Sequence, residues 1–171
     1  MSFVNSLVIL MLATLLSLAA NADTTDLCGV HNAAVPKACR QACEVANEIR
    51  ASKNLPLMEV DPAVCQAAKT QAQFLFKKFG ACNKAKKKEC LSHSGQGVSD
   101  ASAALTKRLQ AAGAGFNLAT ENINIGYVDL DGAFNRGWMR SKVHRANLLD
   151  RRFRRQGYAR VGEYRVHVLT D

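Results

Sequence analysis

The 171-residue chain is predicted to fold as one α+β domain in which helices cover a sheet. In several segments apolar residues recur at the three- and four-residue spacing of a buried helix face, and in others they alternate with polar residues as in half-buried strands. Helices and strands alternate in small number. No internal repeat or long low-complexity linker divides the chain, so one compact unit is expected.

The first two helices are predicted from a buried stripe and from end signals. The segment Cys39 to Ser52 carries apolar residues at helical spacing. In the next helix Asp61 is suited to the N-cap, Pro62 to the first helical position and Gly80 to the residue past the end. Its buried stripe is expected to comprise Val64, Ala68, Ala72, Leu75 and Phe79.

Two further helices are predicted in the second half of the chain. Ser99 or Asp100 is suited to cap a third helix that continues through Leu109. Asp131 is expected to open a fourth helix, which His144 ends. Its buried face would comprise Leu130, Ala133, Phe134, Gly137 and Trp138.

Three strands are predicted from period-two alternation. The first, Asn122 to Tyr127, is expected to be half-buried. The other two, Gly157 to Val161 and Tyr164 to Thr170, would be joined by a tight turn at Gly162-Glu163.

The N-terminal residues predict a secreted protein. An apolar stretch from Leu7 to Ala20 ends in Ala20-Asn21-Ala22, which fits the small-x-small rule for signal-peptidase cleavage. A membrane anchor is disfavoured because a bilayer span needs roughly 20 apolar residues. We therefore predict a signal peptide over 1–22 and an N-terminal extension over 23–37.

The net charge of +9 predicts acidic partners. In a secreted protein it favours an anionic membrane surface or glycan over nucleic acid. The sequence contains two cationic runs. The first is K-A-K-K-K-E, between Cys82 and Cys90, and the second is R-R-F-R-R, from Arg151 to Arg155. The first is expected to be a solvated loop.

The six cysteines predict disulfides. Their even number behind a secretion signal suits an oxidising compartment, and the lack of a C-x-x-C pair disfavours a zinc-thiolate site. Sequence alone does not choose among the 15 possible pairings. As first guesses, Cys82 pairs with Cys90 and Cys43 with Cys65; the remaining cysteines are Cys28 and Cys39.

Histidines and carboxylates are the groups to follow for chemistry, because neutral imidazole binds transition metals and exchanges protons near neutral pH. His31 and His167 are expected to be exposed and inert. His93 stands in the Ser/Gly-rich segment S-H-S-G-Q-G, His144 precedes R-A-N-L-L, and Glu121 is placed at the entry to the strand N-I-N-I-G. These three residues are the candidates for a cleft.

Four motifs in order give the chain a resemblance to the CAP superfamily, which comprises cysteine-rich secretory proteins, antigen 5 and pathogenesis-related 1 proteins. They are A-N-E-I-R-A-S-K-N-L-P-L-M-E-V-D-P-A-V-C-Q-A-A, L-S-H-S, T-E-N-I-N-I-G and W-M-R-S-K-V-H-R-A-N-L-L. The resemblance covers 38–171, which we predict to be the CAP domain.

The resemblance implies an α-β-α sandwich with a central antiparallel sheet between helical layers. It implies that His93 and His144 are the two histidines of the family's cleft and that Glu121 is the carboxylate between them. Family members often bind a divalent ion, commonly zinc, and several carry sterols or fatty acids. Host-interaction, defence and antimicrobial roles recur among them.

Two departures from the family pattern bear on the cleft. Ser141 stands three residues after Trp138, where the animal and plant branch has a second glutamate. Thr120 takes the glycine position of the family's G-E-N. The first departure removes a carboxylate and argues against a mechanism that needs two.

A secreted binding module for metal and for lipid or sterol is therefore the favoured function. One alternative is a metal-dependent hydrolase with Glu121 as general base, although the sequence has no H-E-x-x-H or G-x-S-x-G motif. Another is a cationic antimicrobial or polyanion-binding protein.

Overall fold

A computed structural model describes residues 27–29, 31–82, 87–95 and 97–171. The predicted signal peptide and most of the lysine run between Cys82 and Cys90 lie outside the described residues. Within the described ranges, no helix is long and apolar enough to cross a membrane.

The described residues include five α-helices and four strands. The helices are α1 (Lys37–Ala51), α2 (Pro62–Phe79), α3 (Lys87–Cys90), α4 (Ala101–Ala111) and α5 (Lys142–Leu149). The strands are β1 (Glu59–Val60), β2 (Ala119–Ile125), β3 (Arg155–Val161) and β4 (Tyr164–Thr170). A π-helical segment, Gly132–Gly137, and a 3-10 turn, Trp138–Arg140, precede α5.

The strands form one sheet in the order β1-β3-β4-β2. Strands β2, β4 and β3 are antiparallel neighbours, which confirms the predicted central antiparallel sheet. The two-residue strand β1, which sequence reasoning missed, adds a short parallel edge beside β3.

Strand β4 lies inside the sheet and is buried along its whole length. One face of the sheet packs against α1, Phe134 and Trp138, and the other face packs against α2 and α4. Each face of the sheet thus has its own apolar core beneath a layer of helices, as the predicted α-β-α sandwich requires.

The end signals of α2 and α4 are confirmed. Asp61 accepts hydrogen bonds from the backbone N–H of Ala63 at 2.7 Å and of Val64 at 3.3 Å. Gly80 follows α2 with a positive φ of 59°. Asp100, rather than Ser99, caps α4 by accepting from Ala103 N at 2.7 Å.

Helix α2 approaches β3 so closely that a side chain is excluded at one position. A Cβ atom built on Gly157 would lie 2.2 Å from the backbone of both Val64 and Cys65. These neighbours are helix backbone and have no rotamer through which to move away. Glycine at this position therefore sets the distance between the helix and the sheet.

The three disulfides correct one predicted pairing. Cys82–Cys90 is confirmed, but Cys43 pairs with Cys28 and Cys65 pairs with Cys39. Cys39 and Cys43 lie one turn apart on α1. The prediction placed Cys43 beside Cys65 of α2, whereas Cys39 takes that position. Because Cys28 is fully buried and bonded to α1, it belongs to the folded domain.

The predicted strand and helix between residues 119 and 149 also need correction. Strand β2 begins and ends earlier than predicted, so Glu121 lies inside it, and Asn122 and Asn124 are buried where exposure was expected. The predicted fourth helix is interrupted because Ser141 is extended, with ψ of 124°. His144 therefore lies in the first turn of a separate helix, α5.

His167 is buried, so the prediction of an exposed, inert ring is wrong. It has no exposed surface, its Nε2 donates to Gln156 Oε1 at 2.9 Å, and its ring stacks on Trp138 with centroids 5.5 Å apart. Burial, assisted by the nearby charge of Arg50, lowers the pKa of His167 to about 3. The strand alternation was predicted correctly, but α1 and the Trp138 segment cover the face that was taken to be exposed.

Replacing Gly157 with alanine should destabilise the protein strongly. The added methyl group would overlap helix backbone, and overpacking of this kind costs about 1 to 3 kcal/mol or more. Chemical denaturation measures the loss. Gly115→Ala is the matched control, because no heavy atom lies within 4 Å of the position that its Cβ would take and its φ is not positive. Equal stabilities of the two variants would contradict the proposed close approach.

Stability should fall in mild acid because of His167. The unfolded ring takes up a proton near its ordinary pKa of about 6.5, whereas the folded ring does so only near about 3, so folding is favoured above 6.5 and progressively less below it. The contribution lost between about pH 7 and about pH 4.5 is about 2 to 3 kcal/mol. Denaturant unfolding of wild type and His167→Phe at both pH values should show a shallower decline in the variant. His31→Gln, at an exposed ring, should decline like the wild type.

Candidate functional site

Glu121 is the centre of the candidate site, and both of its carboxylate oxygens are bound. Its Oε2 accepts from Arg108 Nη2 at 2.7 Å, and its Oε1 lies 3.0 Å from His93 Nδ1. The Arg108 and Glu121 side chains are 1% and 3% exposed, whereas the His93 ring is 37% exposed. A buried ion pair thus holds the carboxylate that orients a solvent-accessible imidazole.

This contact fixes the tautomer of His93. A carboxylate only accepts hydrogen bonds, so Nδ1 carries the proton that lies between the two groups. In the neutral ring Nε2 then has a lone pair. Metal-bound histidines commonly have this arrangement, in which a carboxylate holds the nitrogen that does not bind metal.

The loop that carries His93 is held from α2 and α4. Gln71, buried in α2, donates from Nε2 to Ser92 O at 2.8 Å and to Ser94 O at 3.3 Å. Arg108 also donates to the carbonyl of His93 itself at 3.5 Å. The backbone on both sides of the ring is therefore tied to helices rather than left to the loop.

His144 reaches the same region from α5, which is bonded to β2. Asn122 donates to the carbonyl of His144 at 3.1 Å and accepts from Asn147 Nδ2 at 2.9 Å. Leu148 is fully buried and anchors the helix in the core.

Arg50 fixes the other end of α5. Its guanidinium, which has no exposed surface, donates to the carbonyls of Pro56 at 2.8 Å, Leu148 at 2.8 Å, Asp150 at 2.9 Å and Phe153 at 3.3 Å. Burial lowers the pKa of Arg50 from its ordinary value. One arginine of α1 thus binds the segment that joins α5 to β3.

The His93 ring is close enough to His144 to influence its charge. Partial burial, and then the charge of His93, lower the pKa of His144 below its ordinary value. Both effects favour the neutral imidazole, which is the form that binds metal.

A cleft of about 300 Å³ lies beside Glu121. His93, Thr120 and Asn147 line it, and Val143, which is 68% exposed, also lies along it. Thr120, the residue in the family's glycine position, is thus part of the cleft lining. Ser141, predicted to belong to the cleft, precedes α5 and makes no side-chain capping bond to it.

A divalent ion at this cleft would have few protein ligands. Among the described residues, no three histidine, cysteine or acidic side chains come together in a metal-binding group. Glu121 is already bound to Arg108 and His93. A metal here would take the two imidazoles, from His93 and His144, and complete its coordination with water.

Arg108, Gln71 and Arg50 are important to the site but were not predicted from the sequence. Each is a polar residue within a helix, and polar helix residues ordinarily indicate a solvated face. The one usable signal was that each falls among the apolar positions of its helix: Arg50 follows Ile49, Gln71 precedes Ala72 and Arg108 precedes Leu109.

The fold and this cleft define a CAP-type domain, and sequence comparison agrees. The chain belongs to the cysteine-rich secretory protein family, whose model matches residues 43–168. A search of curated protein sequences finds no match.

Three solved structures are similar to this chain. An extracellular protein containing an SCP domain from Bacillus anthracis is 27% identical, with a TM-score of 0.64 over 77% of this chain and 39% of that one. A cysteine-rich secretory protein from Staphylococcus aureus is 18% identical, with a TM-score of 0.56 over 76% of this chain and 36% of that one. An outer surface protein from Borrelia burgdorferi is 21% identical, with a TM-score of 0.59 over 75% and 88%. The present chain spans about two fifths of the length of the Bacillus protein.

Removing the cation from the buried ion pair should destabilise the fold. Arg108→Met leaves the Glu121 carboxylate buried without its cation, at a cost of about 3 to 5 kcal/mol. The double variant Arg108→Met/Glu121→Gln should recover part of that loss, because no charge is then buried. Denaturant unfolding measures both. Arg136→Met, which breaks an exposed ion pair to Asp129, is the control and should change stability by less than about 1 kcal/mol.

Proposed function

We propose that this protein is a secreted binding module whose cleft holds a divalent metal, zinc in particular, through His93 and His144. The main support for this proposal is the 3.0 Å contact between His93 Nδ1 and Glu121 Oε1. This contact orients the ring so that Nε2 is available to bind a metal. Two neutral imidazoles are borderline-soft ligands suited to zinc rather than to calcium or magnesium. Glu121 orients His93 instead of coordinating the metal.

Secretion is supported by the predicted signal peptide and by the three disulfides, which suit an oxidising compartment. The Bacillus relative is described as extracellular and the Borrelia relative as an outer surface protein.

Binding is favoured over hydrolysis by the state of Glu121. A general base needs an oxygen available to a water molecule, but both oxygens of Glu121 are bound and its side chain is only 3% exposed. Arg108 occupies Oε2 at 2.7 Å in a buried ion pair, which leaves that oxygen no room for a water molecule. The cleft therefore suits a ligand-binding role.

Lipid binding belongs to the same proposal. A mostly apolar groove of about 250 Å³ lies between the start of α1, the start of α2 and β3; Pro36, Ala38, Pro62, Ala159 and Val161 line it. Pockets for small molecules usually measure about 300 to 1,000 Å³, so the groove suits one acyl chain or part of a sterol.

Zinc titration calorimetry tests the metal site. His93→Ala and His144→Ala should each abolish zinc uptake without unfolding the protein, whereas Glu121→Gln should only weaken it. Binding to the wild type should weaken below about pH 6, because protons compete for the imidazoles. Since the pKa of His144 is lowered, its protonation should compete only at the acid end of a range from about pH 7.5 to about pH 5.5.

His31→Ala is the matched control, because His31 is exposed and lies in the N-terminal extension. Undiminished zinc binding by the His93→Ala/His144→Ala double variant would overturn the assignment. Circular dichroism of each variant separates loss of the site from loss of the fold.

A second candidate function, binding to an anionic membrane surface, is favoured by the charge between residues 140 and 154. The exposed cations there are Arg140, Lys142, Arg145, Arg151, Arg152 and Arg154. The single acidic residue of this stretch, Asp150, is paired with Arg152 at 2.7 Å. Arg155, by contrast, is half-buried and bonded to the carbonyl of Asp171, so the run R-R-F-R-R is only partly available.

Vesicle sedimentation distinguishes the two kinds of lipid binding. Attraction of the cationic surface to phosphatidylserine vesicles should be lost near about 1 M salt, whereas burial of an apolar chain should be nearly independent of salt. Lys142→Glu/Arg145→Glu should abolish only the salt-sensitive binding. Lys53→Glu, at an exposed lysine beyond α1, is the control. Salt-sensitive binding that survives the double variant would exclude α5 as the contact surface.

A further inference from the structure

A buried arginine on the face of the sheet opposite to Glu121 lacks an anionic partner. Arg165 of β4 is 1% exposed, and its one backbone bond runs from Nη1 to Glu163 O at 3.2 Å. Its Nε and Nη2 are buried and meet no hydrogen-bond acceptor among the described residues. Burying a guanidinium in this way is costly, because the charge loses water and gains no counter-charge.

The neighbouring strand adds a second positive charge. Arg160 of β3 is directly opposite Arg165 in the antiparallel register, so both side chains project from the same face of the sheet. Like charges in directly opposite positions destabilise a strand pair. Arg160 donates to the carbonyls of Gly162 and Val128, each at 3.2 Å, and neither contact neutralises its charge.

The nearest carboxylate does not complete the pair. Asp129 interacts with Arg165 through space, but its Oδ1 accepts from Gly132 N at 2.6 Å and lies 3.4 Å from Arg136 Nη2. In the part of the chain that the structure describes, no acidic oxygen comes within 4.0 Å of Arg165. Tyr158, whose hydroxyl interacts with the guanidinium, is a neutral partner.

Both arginines line one cavity of about 300 Å³. Tyr158 and Asp129 also line it, and the first turns of α1 close it with Ala38 and Gln41. The two arginines and the one aspartate leave a net positive charge around this space.

We propose that this cavity is an anion site, in which Arg165 and Arg160 bind a carboxylate or phosphate group. The planar guanidinium of Arg165 offers two adjacent donors, Nε and Nη2, and this is the fork that binds such groups through two parallel hydrogen bonds. A single negative charge balances the net charge of the lining. The site is separate from the metal cleft, because Glu121 is opposite Val168 in the sheet and projects from the other face.

Calorimetry on the full folded protein tests the site, with inorganic phosphate and with acetate at constant ionic strength in chloride buffer. Saturable binding of either anion is expected, weakened roughly tenfold or more in Arg165→Gln and in Arg160→Gln. Arg151→Gln, at an exposed arginine, is the matched control and should bind like the wild type.

A comparison of hexanoate with acetate distinguishes a free anion from the head group of an amphiphile. The cavity and the apolar groove share Ala38, Tyr158 and Arg160. Hexanoate that binds much more tightly than acetate identifies an acid with an apolar chain, whereas equal binding identifies a small free anion. Either result supports the site.

Thermal unfolding provides a second measurement of anion binding that does not depend on the calorimetric signal. Whichever of phosphate, acetate and hexanoate binds should, at saturation, raise the melting temperature of the wild type and of Arg151→Gln, but not that of Arg165→Gln. Absence of saturable binding by all three anions, or undiminished binding in an Arg165→Gln/Arg160→Gln double variant, would overturn the proposal.

Discussion

The burial of β4 on both faces is the constraint on which the rest of the structure depends. A central strand with helices on both sides has no surface on which to expose a polar side chain, so each polar residue in it needs an internal partner. His167 meets this requirement as a neutral ring that is bonded to Gln156 and stacked on Trp138. Arg165 meets it only in part, and this difference distinguishes a structural group from a candidate binding group.

The cleft is built at the open edge of the same sheet, where β2 has only one neighbouring strand. His93 and Glu121 belong to the side of the sheet covered by α2 and α4, whereas His144 comes from α5 on the other side. Two buried arginines hold these two parts: Arg108 binds the carboxylate, and Arg50 binds the carbonyls at the end of α5. The geometry of the cleft is therefore set by buried cations of the scaffold, not by the loops alone.

Much of the fold could be predicted, because its signals are local. Asp61, Pro62 and Gly80 mark the ends of α2 within the sequence itself, and the alternation in β3 and β4 gives their register. What failed depends on contacts between distant segments. The partner of Cys43 depends on which turn of α1 faces α2. The burial of His167 depends on α1 and the Trp138 segment, neither of which is its neighbour in the sequence. Arg108 escaped prediction because an arginine in a helix ordinarily indicates a solvated face.

The disulfide between Cys82 and Cys90 determines what a proteolytic cut between these residues would release. Its closed ring contains Lys84, Lys86, Lys87 and Lys88, all of which are cleavage points for trypsin-like enzymes. A single cut at any of them would leave the two fragments covalently joined, with α2 on one side and the loop that carries His93 on the other. A nicked chain would thus retain every element of the cleft, and cleavage would become visible only after reduction.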